Sequence, residues 1–368
     1  MADDFADKFR RLIHLAGVYS FGTIVEKFFG FVLIPVYTYY LSPDDFGIIG
    51  LMTLVTLLAY QVLGSPINTG FMRFYYNPDF REIRKEFAFV TMMCTLAACT
   101  LAAIVLFSLS SVAAAFFLES ENLAPIVRVY AGILLFRAVF DLGANMLKME
   151  ERARHFVLAN WIVFLVSSTV TLVGLIVMHM GVMALILGQF AGLAAGSAMV
   201  LPFYISQSRP TRAVGMLREP LKFGYPYLLL GVSNQLLQMG DRYLLKVFTS
   251  LTEVGLYSFG YRIADLIMIL LVSPLAKALQ PLFLKLEDDP ETLREFVKKT
   301  CTYYYVFGSF ICLGLAVFSR EFVQLIAQKE SFHASWPVIP VIAYSHLHYG
   351  LGYFLGWGIV MSKQSVYM

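Results

Sequence analysis

The sequence predicts an all-α, polytopic membrane protein with about ten transmembrane helices. Hydrophobic residues make up 58% of the 368 residues and charged residues 14%, whereas an ordinary soluble domain has about 25% charged residues. Apolar runs of about 20 residues, the length that crosses a bilayer as a helix, recur along the whole chain. Lipid offers no partner to backbone N–H and C=O groups, so such uninterrupted segments are expected to be helices.

Apolar runs separated by charged clusters define the predicted spans. The connecting segments are too short to contain a soluble domain. The N-terminal segment MADDFADKFRRLIHLAG has acidic residues before its bases and no small-residue cleavage site, so we expect the first span to be retained rather than removed as a signal peptide. The predicted bounds are 14–40, 45–70, 87–117, 123–146, 156–178, 182–205, 223–248, 254–283, 300–319 and 335–360.

Basic residues collect in alternate connections between the spans. They precede the first span and follow the second, fourth, sixth and eighth, whereas the intervening connections hold acidic residues such as Asp44, Asp45, Glu119 and Glu253. The positive-inside rule therefore predicts that the basic connections and both termini are cytoplasmic, in a multi-pass protein of the inner (cytoplasmic) membrane. The net charge of +3 reflects loop placement, and no nucleic-acid partner is expected.

Two pairs of matching segments indicate an internal repeat. LSPDDFGIIGL after the first span resembles TSLTEVGLYSF after the seventh, which aligns Gly47 with Gly255. RKEF and LREF align Phe87 with Phe296 at nearly the same spacing. A duplicated six-helix unit is a recognised transporter plan. We therefore expect an N-terminal lobe over residues 1–208 with six helices, and a C-terminal lobe over 209–368 with about four and its last two helices missing.

The remaining motifs favour packing over chemistry. The four cysteines lie in predicted spans without CxxC spacing, and His346 and His348 are two residues apart, on different faces of a helix. Gly188, Gly192 and Gly196 form a face for close helix packing. We therefore predict no disulfide, metal site or cofactor, and no enzyme, since no catalytic constellation is recognisable.

Four predicted spans carry polar side chains at helical spacing. An ionisable side chain inside the bilayer costs about 2.5–3.5 kcal/mol on insertion scales, so such residues usually face a cavity or one another. The stripes comprise Tyr19, Ser20, Thr23, Glu26 and Lys27 in the first span, Gln61, Ser65 and Asn68 leading to Arg73 in the second, Asn234, Gln238, Asp241 and Arg242 in the seventh, and Tyr257, Ser258, Tyr261, Arg262 and Asp265 in the eighth.

Asp241 and Arg262 are expected to pair inside the membrane. Counted from the outer connection near Ser250, the two residues differ in height by about 5 Å at 1.5 Å per residue. Alternatively, Asp241 and the nearby arginine only neutralise each other's charge and fix the packing of the helices. The bases of these stripes outnumber the obvious acids, which favours an anionic ligand. The candidate substrate-binding residues are Arg242, Arg262, Lys27, Arg73, Asp241, Asp265 and Glu26.

Several segments resemble one transporter family in span order. They are YTYYLSPDDFGIIGL after the first span, RFYY after the second, and DRYLLKVFTSLTEVGLYSFGYRIADL across the seventh and eighth. The chain is similar to the polysaccharide-biosynthesis branch of the multidrug/oligosaccharidyl-lipid/polysaccharide exporter superfamily, which contains the O-antigen flippases. The resemblance implies two six-helix lobes around a central cavity. The second lobe departs from this pattern by its length.

The resemblance also implies an activity. It is translocation of an undecaprenyl-diphosphate-linked oligosaccharide to the outer leaflet by alternating access, with membrane lipids and a glycan polymerase or glycosyltransferases as partners. A diphosphate sugar head needs a cationic path, while its polyprenyl tail can stay in lipid. Arg73 is expected near the cytoplasmic mouth of that path, Lys27 near the midplane, and Arg242 and Arg262 in the outer half.

Three alternatives remain at this point. A small-molecule antiporter of the same superfamily is expected to have an unpaired acid in its first lobe, and here Lys27 directly follows Glu26. A glycan polymerase or ligase is expected to have a large outer loop with catalytic residues, and the outer loops are short. A non-transporting scaffold of a glycan assembly complex is consistent with the short second lobe.

Overall fold

The computed structural model describes residues 25, 28–276, 279 and 290–361. The described residues form helices joined by short turns, and none of them is in a strand. The chain divides into two compact units, a central unit of Asp44–Gly255 and a terminal unit of Met1–Pro43 together with Leu256–Met368. These bounds do not coincide with a division after residue 208, so the two-lobe division stays a prediction.

The helices of the central unit follow the predicted spans, with two interruptions. The second span is α2 followed by α3, and the third is α4 followed by α5. The helices are α2 (Pro43–Leu63), α3 (Ser65–Phe74), α4 (Arg84–Ser108), α5 (Ser110–Leu118), α6 (Ala124–Met149), α7 (Ala153–Ile176), α8 (Val182–Ser206) and α9 (Arg218–Phe248).

The interruption between α2 and α3 has a local cause. Gly64 precedes α3, and Pro66 lies in its first turn, where the missing proline N–H costs nothing. The chain nevertheless stays close to helical, because the Gly64 N–H bonds to the Tyr60 carbonyl at 2.8 Å and the Asn68 N–H to the Gly64 carbonyl at 3.1 Å. The result is a bend in the second span rather than a loop.

Glycines set the helix packing of the central unit. A methyl group on Gly188, Gly192 or Gly196 of α8 would collide with α7, at Thr171, Val163 and Ser167 among others, which confirms the predicted close-packing face. α3 and α9 cross at two close contacts, and each helix contributes the glycine of one contact and the proline carbonyl of the other. A Cβ on Gly70 would meet the carbonyl of Pro220, and one on Gly224 the carbonyl of Pro66.

The terminal unit begins with α1 (Ile34–Tyr40) and continues in the second half of α10 (Leu251–Ala264). The remaining helices are α11 (Pro290–Val317), α12 (Ser319–Ile326) and α13 (Val338–Met361). α12 and a 3₁₀ turn over Glu330–Ser335 fill the connection expected to be a loop. A π-helical segment, Met268–Val272, lies within the long helix Leu251–Ala276 that α10 begins.

Side-chain contacts join these helices within the terminal unit. α13 packs along α11, where the Tyr304 hydroxyl donates to the Leu347 carbonyl at 2.8 Å. The fully buried Thr38 of α1 accepts a bond from the Gln328 N–H at 3.2 Å, and the Lys329 ammonium donates to the Leu41 carbonyl at 2.9 Å. The end of α1 is therefore tied to the turn that follows α12.

Seven of the described helices are long and apolar enough to cross a membrane. They are Pro43–Leu63, Arg84–Ser108, Glu121–Met149, Ala153–Ile176, Val182–Ser206, Leu251–Ala276 and Glu291–Val317. α9 and α13 have the length but carry more polar side chains, and the second half of the predicted first span is the shorter apolar helix Phe28–Tyr40. The chain is a multi-pass, all-helical membrane protein, as the sequence predicted.

Candidate functional site

The basic connections of the central unit meet at one end of its helices. The backbone N–H of Arg209 bonds to the Lys85 carbonyl at 2.9 Å, and its guanidinium lies 3.5 Å from the Glu86 carboxylate. Arg73, exposed at the end of α3, stacks on Phe223 at 5.9 Å. The predicted clustering of the bases is therefore present in the fold. Which side of the membrane this end faces stays a prediction.

A tyrosine of the same end is held by charged groups. The Tyr75 hydroxyl donates to the Glu150 carboxylate at 2.7 Å, and the Arg84 guanidinium lies 4.9 Å from the Tyr75 ring centroid. Burial first, and then the hydrogen bond to Glu150, raise the pKa of the Tyr75 phenol. Tyr75 therefore stays neutral at all physiological pH values and acts as a donor that ties two connections together.

The acidic connections meet at the opposite end of the same helices. The Thr252 hydroxyl bonds to Asp44, and Lys246 near the end of α9 lies 3.5 Å from the Glu119 carboxylate. The Lys246 ammonium also donates to the Phe116 carbonyl at 2.9 Å. The two ends of the central unit thus differ in charge, as the alternation of loop residues predicted.

Arg242 of α9 is packed rather than presented to a ligand. Its Nη1 lies 3.2 Å from the Asp241 carboxylate and donates to the Gln238 carbonyl at 3.0 Å. The residue is only 4% exposed. The long arginine side chain turns back along its own helix and reaches the preceding carboxylate. A substrate-binding role for Arg242 and Asp241 stays a prediction.

An ion pair that the sequence analysis missed lies in α6. The Nε of Arg137 is 3.0 Å from the Asp141 carboxylate, one helical turn further along. The two side chains are 36% and 23% exposed. Arg137 lies at the centre of an apolar helix of membrane-spanning length, about 18 Å from either end at 1.5 Å per residue. The i, i+4 spacing of an arginine and an aspartate inside a predicted span was the signal available in the sequence.

Polar groups of the bent second span lie close to this pair. The Tyr60 phenol interacts electrostatically with Asp141 and Arg137, and the Asn68 amide lies 3.5 Å from the Tyr60 hydroxyl. Gln61, one residue on, donates to Ser65 at 3.0 Å across the bend. Tyr60 therefore lies close to the ion pair of α6, whereas Gln61 lies against Gly231 of α9. The role predicted for the polar stripe of the second span stays a prediction.

In the terminal unit, the polar stripe predicted on the eighth span ends at Asp265, which contacts His346. Asp265 follows α10 directly, and its Oδ1 lies 2.9 Å from Nε2 of His346 on α13. The Tyr261 ring stands edge-on to the His346 imidazole, with 5.2 Å between ring centroids. Arg262 interacts electrostatically with Tyr37, which lies in the middle of α1.

Two of the predicted candidates, Glu26 and Lys27, lie outside the described residues. Within the described part of the chain, no group of three or more His, Cys, Asp or Glu side chains could hold a metal ion. The described cysteines Cys94, Cys99, Cys301 and Cys312 are free thiols. Arg73, Arg242 and Arg262 stay predicted substrate-binding residues, and Arg137 is a further cationic side chain among the described residues.

The fold is that of MATE-type transporters. Among solved structures, the MATE multidrug transporter DinF-BH superposes with a TM-score of 0.63 at 15% identity, over 94% of this chain and 83% of that chain. A variant of the Vibrio cholerae MATE transporter VcmN gives a TM-score of 0.57 at 14% identity, over 97% of this chain and 86% of that chain. Identity this low shows a shared fold.

The sequence places the chain within one family of that fold class. A family model described as "Polysaccharide biosynthesis protein" matches residues 38–331. The chain therefore belongs to the polysaccharide biosynthesis protein family. No curated protein sequence matches the chain.

Proposed function

We propose that the protein translocates an undecaprenyl-diphosphate-linked oligosaccharide across the inner membrane by alternating access, without enzymatic chemistry. The family match and the transporter fold support transport of a glycan precursor. The observation that carries the proposal is Arg137, a partly exposed guanidinium at the centre of a membrane-spanning helix. A charge at that depth is costly against lipid, so its exposed side is expected to meet water or a ligand.

The chemistry of Arg137 suits a diphosphate. Guanidinium presents several donors in one plane, stays charged at every physiological pH, and binds phosphate oxygens at two points. Asp141 accepts a hydrogen bond from Nε at 3.0 Å, which holds one edge of the guanidinium and leaves the two terminal nitrogens outside this contact. Arg73 and Arg262, with Lys27, are retained in this proposal as further cationic contacts for the head group.

Export of glycan in cells tests the proposal. Arg137→Ala should reduce export by about one to two decades, because a charge-assisted contact to an oxyanion is worth about 1.5–3 kcal/mol. Arg137→Lys should keep part of the activity, because the charge survives without the planar grip. Arg128→Ala is the matched control, since Arg128 lies on the same helix and donates to Ser110 at 3.0 Å.

Each variant is compared at equal amounts of membrane-inserted protein, and lipid-linked oligosaccharide on the cytoplasmic leaflet is measured alongside the exported glycan. Accumulation on that leaflet with Arg137→Ala, but not with Arg128→Ala, is the expected result. Normal export by Arg137→Ala contradicts the proposal. Efflux of small organic cations by the wild-type chain, without any effect on glycan export, would favour the antiporter instead.

A further inference from the structure

His346 and Asp265 join two helices of the terminal unit through one close contact. Asp265 follows α10, and His346 lies about 12 Å along the axis from the start of α13. Nε2 of His346 and Oδ1 of Asp265 are 2.9 Å apart. Within the described residues, Nε2 makes no well-directed hydrogen bond, and the two groups carry opposite charges when the imidazole is protonated.

The two side chains differ in exposure. His346 is 8% exposed, whereas the Asp265 side chain is 38% exposed. A carboxylate inside a membrane-spanning helix faces water or a counter-charge rather than lipid. The Asp265 side chain is therefore the more open member of the pair, and the imidazole is the more buried one.

Imidazole is the side chain that gains and loses a proton near neutral pH, and buried carboxylate–histidine pairs serve as proton relays in membrane transporters. We infer that His346 and Asp265 form a proton-binding site of the terminal unit. The proton taken up from water adds to the lone pair of the neutral imidazole, and no other bond forms or breaks. On release the same proton returns to water and leaves a neutral imidazole beside the carboxylate.

The position of the pair gives the proton a mechanical consequence. Three residues after Asp265, the helix becomes the π-helical segment Met268–Val272, and such segments are frequent at functional sites. A charged imidazole attracts Asp265, and a neutral imidazole attracts it less. Proton binding therefore changes the force that holds α13 to the helix containing the π segment. That this force serves transport rests on the proposed function.

Other charged and titratable groups of the described residues lie on the helices that carry the pair and on α11, which packs along α13. Tyr261 and Arg262 belong to α10, Tyr305 and Cys312 to α11, and Tyr344 and His348 to α13. Of these, the Tyr261 ring contacts His346 directly. The Tyr305 hydroxyl lies 2.9 Å from that of Tyr344 and 3.3 Å from Nε2 of His348, so these three form a separate polar group.

His348 supplies the matched control. It lies on the same helix, two residues away, and its Nδ1 is 2.9 Å from the Tyr344 carbonyl. His348→Gln should thus leave the proton site intact, whereas His346→Gln removes it. Asp265→Asn keeps the size of the side chain and removes its charge.

Nitrogen NMR of the full chain, labelled at histidine, tests the site with protons alone as the ligand. The His346 imidazole should pass from the neutral to the imidazolium form as pH falls from about 8 to about 5. Amide protection of Met268–Val272 should change with it in the wild type and in His348→Gln, and not in Asp265→Asn. One protonation state of His346 throughout that range overturns the proposal, as does an unchanged response in Asp265→Asn.

The assignment does not depend on His346→Gln folding, because His346 is intact in the wild type and in the other two variants. Export assays add a separate arm, in which His346→Gln should lose the pH dependence of export that His348→Gln keeps. If the chain exports no glycan but His346 still titrates with the π segment, the proposed function fails and the proton site stands. If export depends on Arg137 but His346 does not titrate, only this inference fails.

Discussion

Two arginines of the central unit differ in what surrounds them. Arg242 of α9 is buried, pairs with its immediate neighbour Asp241 and bonds back to its own helix. Arg137 of α6 pairs with Asp141 one turn away and keeps more than a third of its side chain exposed. The same residue type therefore serves packing in one helix and remains open to a ligand in the other, and exposure rather than depth distinguishes the two.

The largest expected effect tests the packing role of Arg242. Asp241→Ala removes the carboxylate beside a buried guanidinium, and this should cost up to about 3 kcal/mol, the low end for breaking a buried pair, because Asp241 is itself 33% exposed. The amount of folded protein in the membrane should fall sharply, as measured by fluorescence-detected size exclusion. The double variant Asp241→Ala/Arg242→Met should restore most of it, because no uncompensated charge remains. A double variant as unstable as Asp241→Ala would show that Arg242 does more than balance Asp241.

A smaller effect is expected at Arg137, where the substitution should change anion affinity rather than the amount of folded protein. Asp141→Asn keeps the guanidinium and removes the competing negative charge, so the purified protein should bind inorganic pyrophosphate several-fold more tightly, for about 1 kcal/mol of gain. Folding should change little, because both side chains are partly exposed. Calorimetric titration measures the affinity, and Arg137→Ala in the same background should abolish the gain. Equal affinity in the wild type and Asp141→Asn would place the anion elsewhere.

The smallest effect concerns salt. A double-mutant cycle on Arg137 and Asp141 should give a coupling free energy of about 0.3–1 kcal/mol that shrinks as NaCl is raised, because the pair is partly exposed. The coupling between Asp241 and Arg242 should hardly depend on salt, since Arg242 is buried. Thermal unfolding of the single and double variants at low and high salt measures both values. Equal salt dependence would remove the distinction between the two pairs.

Much of the fold followed from the sequence, because lipid permits few solutions. Apolar run length predicted most helices, loop charge predicted which connections lie together, and glycine spacing predicted the contact of α8 with α7. The helix interruptions at Gly64 and Leu109 were not predicted, since apolar run length cannot distinguish one continuous helix from two consecutive ones.

The site was less predictable for a different reason. Side-chain rotamers decide which carboxylate an arginine reaches, and the spacing that predicted an Asp241–Arg262 pair could not show Arg242 turning back to Asp241. Arg137 and Asp141 form a single charged pair, whereas the sequence prediction rested on longer stripes of polar residues, so this pair was not among the candidates. His346 could not be paired from sequence, because its partner Asp265 belongs to a helix distant along the chain.

The crossing of α3 and α9 also limits which substitutions this sequence can accept during evolution. Each helix presents a glycine to a proline carbonyl of the other, Gly70 to Pro220 and Gly224 to Pro66. A methyl group at either glycine pushes the two backbones apart at both contacts, so a substitution at one site cannot be compensated at the other. Descendants of this sequence that preserve the crossing are therefore expected to retain both glycines, and replacement of either one is a step that selection should remove.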